Sequence, residues 1–84
     1  MSRGMTRAER LVEMERLYFQ RPYSDIEMAE RLGVDRTTVF RDRSALETEI
    51  PFIQDDTGRY RIDRSRYLSN IRLNLHEALA LYLA

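Results

Sequence analysis

The stretch SDIEMAERLGVDRTTVFRDRSAL, residues 24–46, decides the fold. It predicts two short helices joined by a sharp turn. Ser24 stands three residues before Glu27, a capping-box spacing in which each side chain satisfies a free amide of the other. Asp35 is placed to cap a second helix, and its charge suits the positive end of the helix dipole. The first helix is therefore expected over 24–32 and the second over about 35–47. Between them Gly33 lets the chain leave the first helix, commonly through a left-handed conformation that costs glycine little. With Asp25 as the first position of the unit, alanine falls fifth (Ala29), glycine ninth (Gly33) and a β-branched residue fifteenth (Val39). Those are the places where a bihelical unit needs a small, a turn-permissive and a compact apolar side chain. The plain alternative is two amphipathic helices in an ordinary bundle. Helix, glycine turn, helix at this spacing favours the helix-turn-helix plan, whose second helix enters a DNA groove.

The same periodicity extends outward. Thr6–Gln20 predicts a helix capped by Thr6, with Glu9 at the capping-box position and Leu11, Met14, Leu17 and Tyr18 forming an apolar stripe. Arg10, Glu13 and Arg16 fall on its other faces, as partners in weak surface pairs. Pro22 ends it, because proline disfavours the helical conformation of the residue before it. Ile26, Ala29 and Leu32, with Met28 beside them, and Val34, Val39 and Leu46 are expected to close a three-helix core. Pro51–Gln54 and Arg59–Ile62 predict two short strands around an Asp55-Asp56-Thr57-Gly58 turn, with Phe52 and Tyr60 or Ile62 facing inward. A hairpin directly after a helix-turn-helix is a wing. Asp63–Asn70 is expected to be a basic connector, extended or with one short turn. Asn74–Ala84 is expected to be a last helix, capped by Asn74 with Glu77 three residues on. Met1–Met5 is expected to fray.

Eighty-four residues make one small domain with a thin core. The chain has no cysteine, no apolar run near the roughly 20 residues of a membrane span, and no signal-peptide core at its start. A cytoplasmic protein without membrane contact is expected. The net charge is zero, but all 14 basic residues are arginine, which is the better fork for phosphate and guanine. Codon composition alone also explains an absence of lysine. Residues 59–72 hold five arginines against the single acid Asp63, so a neutral total still contains basic patches that suit phosphate.

On the second helix of the pair, Val39 and Leu46 point to the core. The 3.6-residue repeat turns Thr37, Phe40, Arg41 and Ser44 away from it, with Arg36 at the helix start. Arg36 and Arg41 suit guanine O6 and N7 or phosphate; Thr37 suits a thymine methyl or phosphate, and Thr38 a phosphate. Phe40, a large aromatic on the outer side, either meets a thymine methyl or sugar, or tucks against the wing. Arg59 and Arg61 alternate along the second strand and either reach DNA or serve as solvated edge charges.

Catalytic signals are weak. Asp56-Thr57-Gly58 matches the aspartic-protease triplet, but it falls at a hairpin tip rather than in a shielded carboxylate pair. His76 has no second histidine or cysteine with which to hold a metal. No phosphate loop or nucleophile triad is present, so neither an enzyme nor a cofactor is expected.

MAERLGVDRTTVFRD (28–42), followed by GRYRID (58–63), resembles the winged helix-turn-helix of DeoR-type bacterial transcription regulators. The tail RLNLHEALALYLA (72–84) is similar to the segment that opens the regulatory part of WYL-domain regulators. The resemblance implies a homodimeric transcription factor that binds double-stranded DNA. Its effector, a nucleotide or nucleic-acid ligand, would bind a domain outside this chain. The family's V-x-R-x-T-[IV]-x-R-D pattern falls on Val34, Arg36, Thr38, Val39, Arg41 and Asp42. Arg41 is then expected to contact DNA and Asp42 to orient a neighbouring arginine. Asp35 stands where serine is common; it still caps but repels phosphate. Arg43 stands where the pattern is usually apolar, which strains helix packing there and adds a phosphate contact.

The expected layout is a mainly α winged helix-turn-helix over 1–63, a basic connector over 64–73, and a C-terminal helix over 74–84. That last helix serves as a dimerisation element or as the start of a WYL-type regulatory domain, because its apolar residues lack a polar end. The rival readings are a winged helix that binds protein rather than DNA, and the repressor-like N-terminal domain of a bifunctional enzyme.

Overall fold

Thr6, Ser24 and Asp35 each start a helix, as their spacing predicts. In a computed structural model, which describes residues 4–84, the elements run α1 (Arg7–Gln20), α2 (Asp25–Leu32), α3 (Arg36–Glu47), β1 (Phe52–Gln54), β2 (Tyr60–Ile62) and α4 (Arg64–Leu83). The expected frayed start lies mostly outside the described residues. The Thr6–Glu9 and Ser24–Glu27 capping boxes both form, and the Asp35 carboxylate accepts the Thr38 amide at 2.8 Å. That bond holds the Asp35 carboxyl below the usual carboxylate range. α1 ends where Arg21, before Pro22, turns extended at φ −162°. Gly33 sits at φ 71° and donates its amide to the Ala29 carbonyl, so the turn between α2 and α3 is left-handed.

Met14, Leu17 and Tyr18 of α1, Met28 and Ala29 of α2, Val39 of α3, Tyr23 and Ile62 form the buried core. Leu11, Leu32 and Leu46 are half-buried. Ile26, expected inside, is 51 % exposed, whereas Met28 is fully buried. At 100° per residue these two side chains lie about 200° apart, so only one can face α1 and α3. The flexible methionine takes the inner position and fills the gap there.

The hairpin pairs β1 and β2 antiparallel, with Phe52 opposite Ile62 and Gln54 opposite Tyr60. Asp55 Oδ1 organises the turn by accepting from the Thr57 amide, the Thr57 hydroxyl and the Arg59 amide. The Asp56-Thr57-Gly58 triplet is therefore a hairpin tip. Tyr23, between α1 and α2, exchanges two backbone bonds of 2.9 Å with Tyr60 and so extends the sheet toward the helices. The Phe52 ring meets the Tyr18 ring edge-on at 5.1 Å.

The expected connector at 64–73 is instead helical, and Asn74 lies in mid-helix rather than at a cap. Asp63 caps the helix through the Arg66 amide at 3.3 Å. Residues 64–83 then contain no glycine or proline to stop it, and helix propagates cheaply once nucleated. α4 docks only by its first turns. The Tyr67 ring lies 5.6 Å from that of Phe19, and its hydroxyl donates to Glu15. From Leu68 onward every residue is exposed. No helix of the described residues is long and apolar enough to cross a membrane.

Candidate nucleic-acid interface

α3 divides its charges between inside and outside. Val39, Asp42 and Arg43 are its buried residues. Arg43, expected as a phosphate contact, is 3 % exposed and does not belong to the outer face. Its Nε and Nη2 donate to the two oxygens of Asp25 at 3.2 and 3.0 Å, and its Nη1 donates to Glu47 at 3.4 Å. Its guanidinium carbon lies 3.6 Å from the centre of the Tyr60 ring. Burial opposes the charge, but the bonds to Asp25, its charge and the nearby Tyr60 and Tyr18 together hold the group above its ordinary value. The apolar expectation for this position is thus met differently. A flat guanidinium fills the space by stacking, while two carboxylates neutralise it. Asp25, adjacent to the α2 cap, supplies the main counter-charge.

Arg36, Thr37, Phe40 and Arg41 are exposed, and Thr38 and Ser44 are half-buried. Arg36, Thr37 and Phe40 line one shallow hollow together with Asp25. Phe40 is 56 % exposed, so it does not tuck into the hairpin. The Arg43 guanidinium carbon lies over its ring, 5.4 Å from the centre. Arg36 and Arg41 form no ion pair among the described residues, in contrast to Arg43.

Arg59 and Arg61 differ in what holds them. Arg59 precedes β2 and donates from Nε and Nη2 to the two oxygens of Glu27, each at 2.9 Å. That carboxylate also accepts the Ser24 amide in the α2 capping box. The Arg59 bonds, and then the cap, bring the Glu27 carboxyl down to about 2. Arg61 is half-buried within β2, opposite Ile53.

Asp42 is 2 % exposed and accepts from Arg10 Nε at 2.5 Å and Arg7 Nε at 3.2 Å. Asp42 thus ties down two arginines through their Nε atoms. Both come from α1, and Arg10, placed by the helical repeat among weak surface pairs, meets a buried carboxylate. Arg16 does make the expected surface pair, with Glu13. Arg7, Arg10, Thr38, Arg41 and Asp42 line a second hollow, beside α3. The spacing of Arg7 and Arg10, three apart on one helix face, is the signal in the sequence. The partner Asp42, more than 30 residues away, becomes visible only in the fold.

Among the described residues no group of histidine, cysteine or carboxylate side chains is arranged to hold a metal. Comparison with family models, with curated proteins and with solved structures returns no match.

Proposed function

We propose that this chain is a winged helix-turn-helix domain that binds double-stranded DNA sequence-specifically as a transcription regulator. α2, the Gly33 turn and α3 are the helix-turn-helix, α3 is the recognition helix in the major groove, and the hairpin is the wing. The observation that carries this reading is the sorting of the α3 arginines. Arg43 is buried and neutralised, while Arg36 and Arg41 stay exposed on the side of α3 away from the core and form no ion pair among the described residues. Such cations cost nothing to the fold and suit guanine edges and phosphates. Thr37 offers a hydroxyl to a phosphate, and Phe40 an apolar surface to a thymine methyl. The binding unit is a homodimer, with half-sites about one helical turn apart or a multiple of that.

One observation favours a protein partner instead. Phe40 is exposed, as are Leu68, Ile71, Leu75 and Leu79 on α4. A salt titration separates the readings. DNA binding weakens steeply with ionic strength, whereas an apolar protein contact does not. Selection of bound duplexes from a random pool tests the proposal directly. An enriched, pseudo-symmetric site is expected, and a pool that stays random overturns the reading.

A further inference from the structure

The cleft between the start of α1 and the outer side of α3 contains more positive charge than the fold uses. Arg7, Arg10 and Arg41 line it against the single carboxylate of Asp42, leaving an excess of two positive charges. Asp42 is buried and takes one Nε from each α1 arginine. Among the described residues, neither guanidinium makes a further hydrogen bond, so both keep their Nη donors. Their side chains are 60 % and 17 % exposed, which leaves Arg7 open to solvent and Arg10 held in the cleft wall. A guanidinium fixed at Nε has lost part of its conformational freedom already, so the entropy cost of a further bond falls. Asp35, which caps α3, spends its carboxylate on the Thr38 amide.

We infer that this cleft is an anion site for one phosphodiester of the bound duplex, with Arg7 and Arg10 as its clamp and Arg41 joining from α3. The inference rests on the DNA-binding reading and deepens it. Asp42 is the positioning residue: it ties α1 to α3 and aims two arginines along the flank of the recognition helix. A phosphate held there fixes the register of α3 in the groove and carries no sequence information itself. The contact thus comes from α1, outside the helix pair and the hairpin.

The test uses the full chain. Inorganic phosphate is titrated while the arginine Nε–Hε resonances are followed by NMR. Shifts confined to Arg7, Arg10 and Arg41 are expected, and an equal drift of all arginines overturns the site. A duplex recovered from the random pool is then bound to wild type, Arg7→Gln and Arg16→Gln. Arg16 lies nine residues from Arg7, half a turn round α1, and serves as the control. Arg7→Gln leaves Asp42 paired with Arg10, so the fold is kept. It is expected to weaken binding about tenfold near 0.1 M salt and to reduce the salt slope by about one. Arg16→Gln is expected to change neither. If wild type binds the duplex and Arg7→Gln matches it, the clamp is wrong while DNA binding stands. If wild type binds no duplex, both fall, whatever inorganic phosphate does.

Discussion

Arg59 and Glu27 form a two-pronged ion pair, 2.9 Å at each oxygen, that fastens the hairpin to the first turn of α2. The same Glu27 carboxylate closes the α2 capping box through the Ser24 amide. One side chain therefore couples a helix start to the β-structure that follows α3. The pair is partly exposed, so its worth is that of a well-aligned surface bridge rather than of a buried one.

This coupling has a pH signature. The Glu27 carboxyl is lowered from 4.5 to about 2 in the folded chain. A lowered folded value stabilises the native state above the unfolded value and loses that contribution as pH falls through the folded one. Glu27→Gln is therefore expected to be less stable than wild type at neutral pH. The difference should shrink between about pH 4.5 and about 2. Urea midpoints measured across that range check it.

Replacing Arg43 tests whether it belongs to the core or to the interface. Arg43→Ala removes the stack on Tyr60 and leaves Asp25 without its partner. A loss of about 3 kcal/mol of folding stability is expected, in the range for breaking a buried pair. Arg43→Lys keeps the charge but not the fork or the flat stack, and should fall between the two. Chemical denaturation measures both; a fully stable Arg43→Ala variant would return this residue to the interface.

Arg41→Ala is expected to leave the urea midpoint within error, because the side chain is exposed and unpaired among the described residues. Binding to a selected duplex should weaken by about 1–3 kcal/mol. Equal affinity in a gel-shift assay removes Arg41 from the contact set.

Tyr18 is fully buried, and its hydroxyl has no hydrogen-bond partner among the described residues. Burial pushes that hydroxyl well above its ordinary value. An unmet buried hydroxyl costs about 1–3 kcal/mol of desolvation. Tyr18→Phe keeps the ring contacts with Tyr23 and Phe52 and should be neutral or stabilising by up to about 1 kcal/mol. A thermal melt showing clear destabilisation would mean that the hydroxyl has a partner in solution.

Removing 74–84 is expected to leave the unfolding midpoint unchanged, since those residues bury nothing in the single chain. The homodimer part of the proposed function adds that sedimentation will show more monomer after the deletion.

The helices α1 to α3 and the hairpin were legible in the sequence because their signals are local. A capping box spans four residues, a left-handed glycine turn one, and a core stripe repeats every turn. Ser24 with Glu27, Gly33 and the Asp55–Gly58 turn all act through near neighbours. The start of α4 is not legible for a related reason. A polar, basic run reads as a connector, yet without glycine or proline nothing stopped the helix that Asp63 begins.

Pairings across the chain were decided by tertiary structure alone. The resemblance set Arg43 apart as a departure from an apolar position, but only packing put Asp25 and Tyr60 around it and buried it. The resemblance implied an orienting role for Asp42, but only the approach of α1 to α3 supplied Arg7 and Arg10. The sequence offered Arg59 to DNA or to solvent, and the hairpin's position against α2 paired it with Glu27. The physical reason is common to all three. An arginine reads the same in sequence whether it meets a carboxylate, a ring or solvent, and the long-range contact that selects among them is not written in any local period. By itself the sequence determined the helix pair, its turn and the exposed Arg36 and Arg41; the fold determined which of the remaining arginines are left to bind anything else.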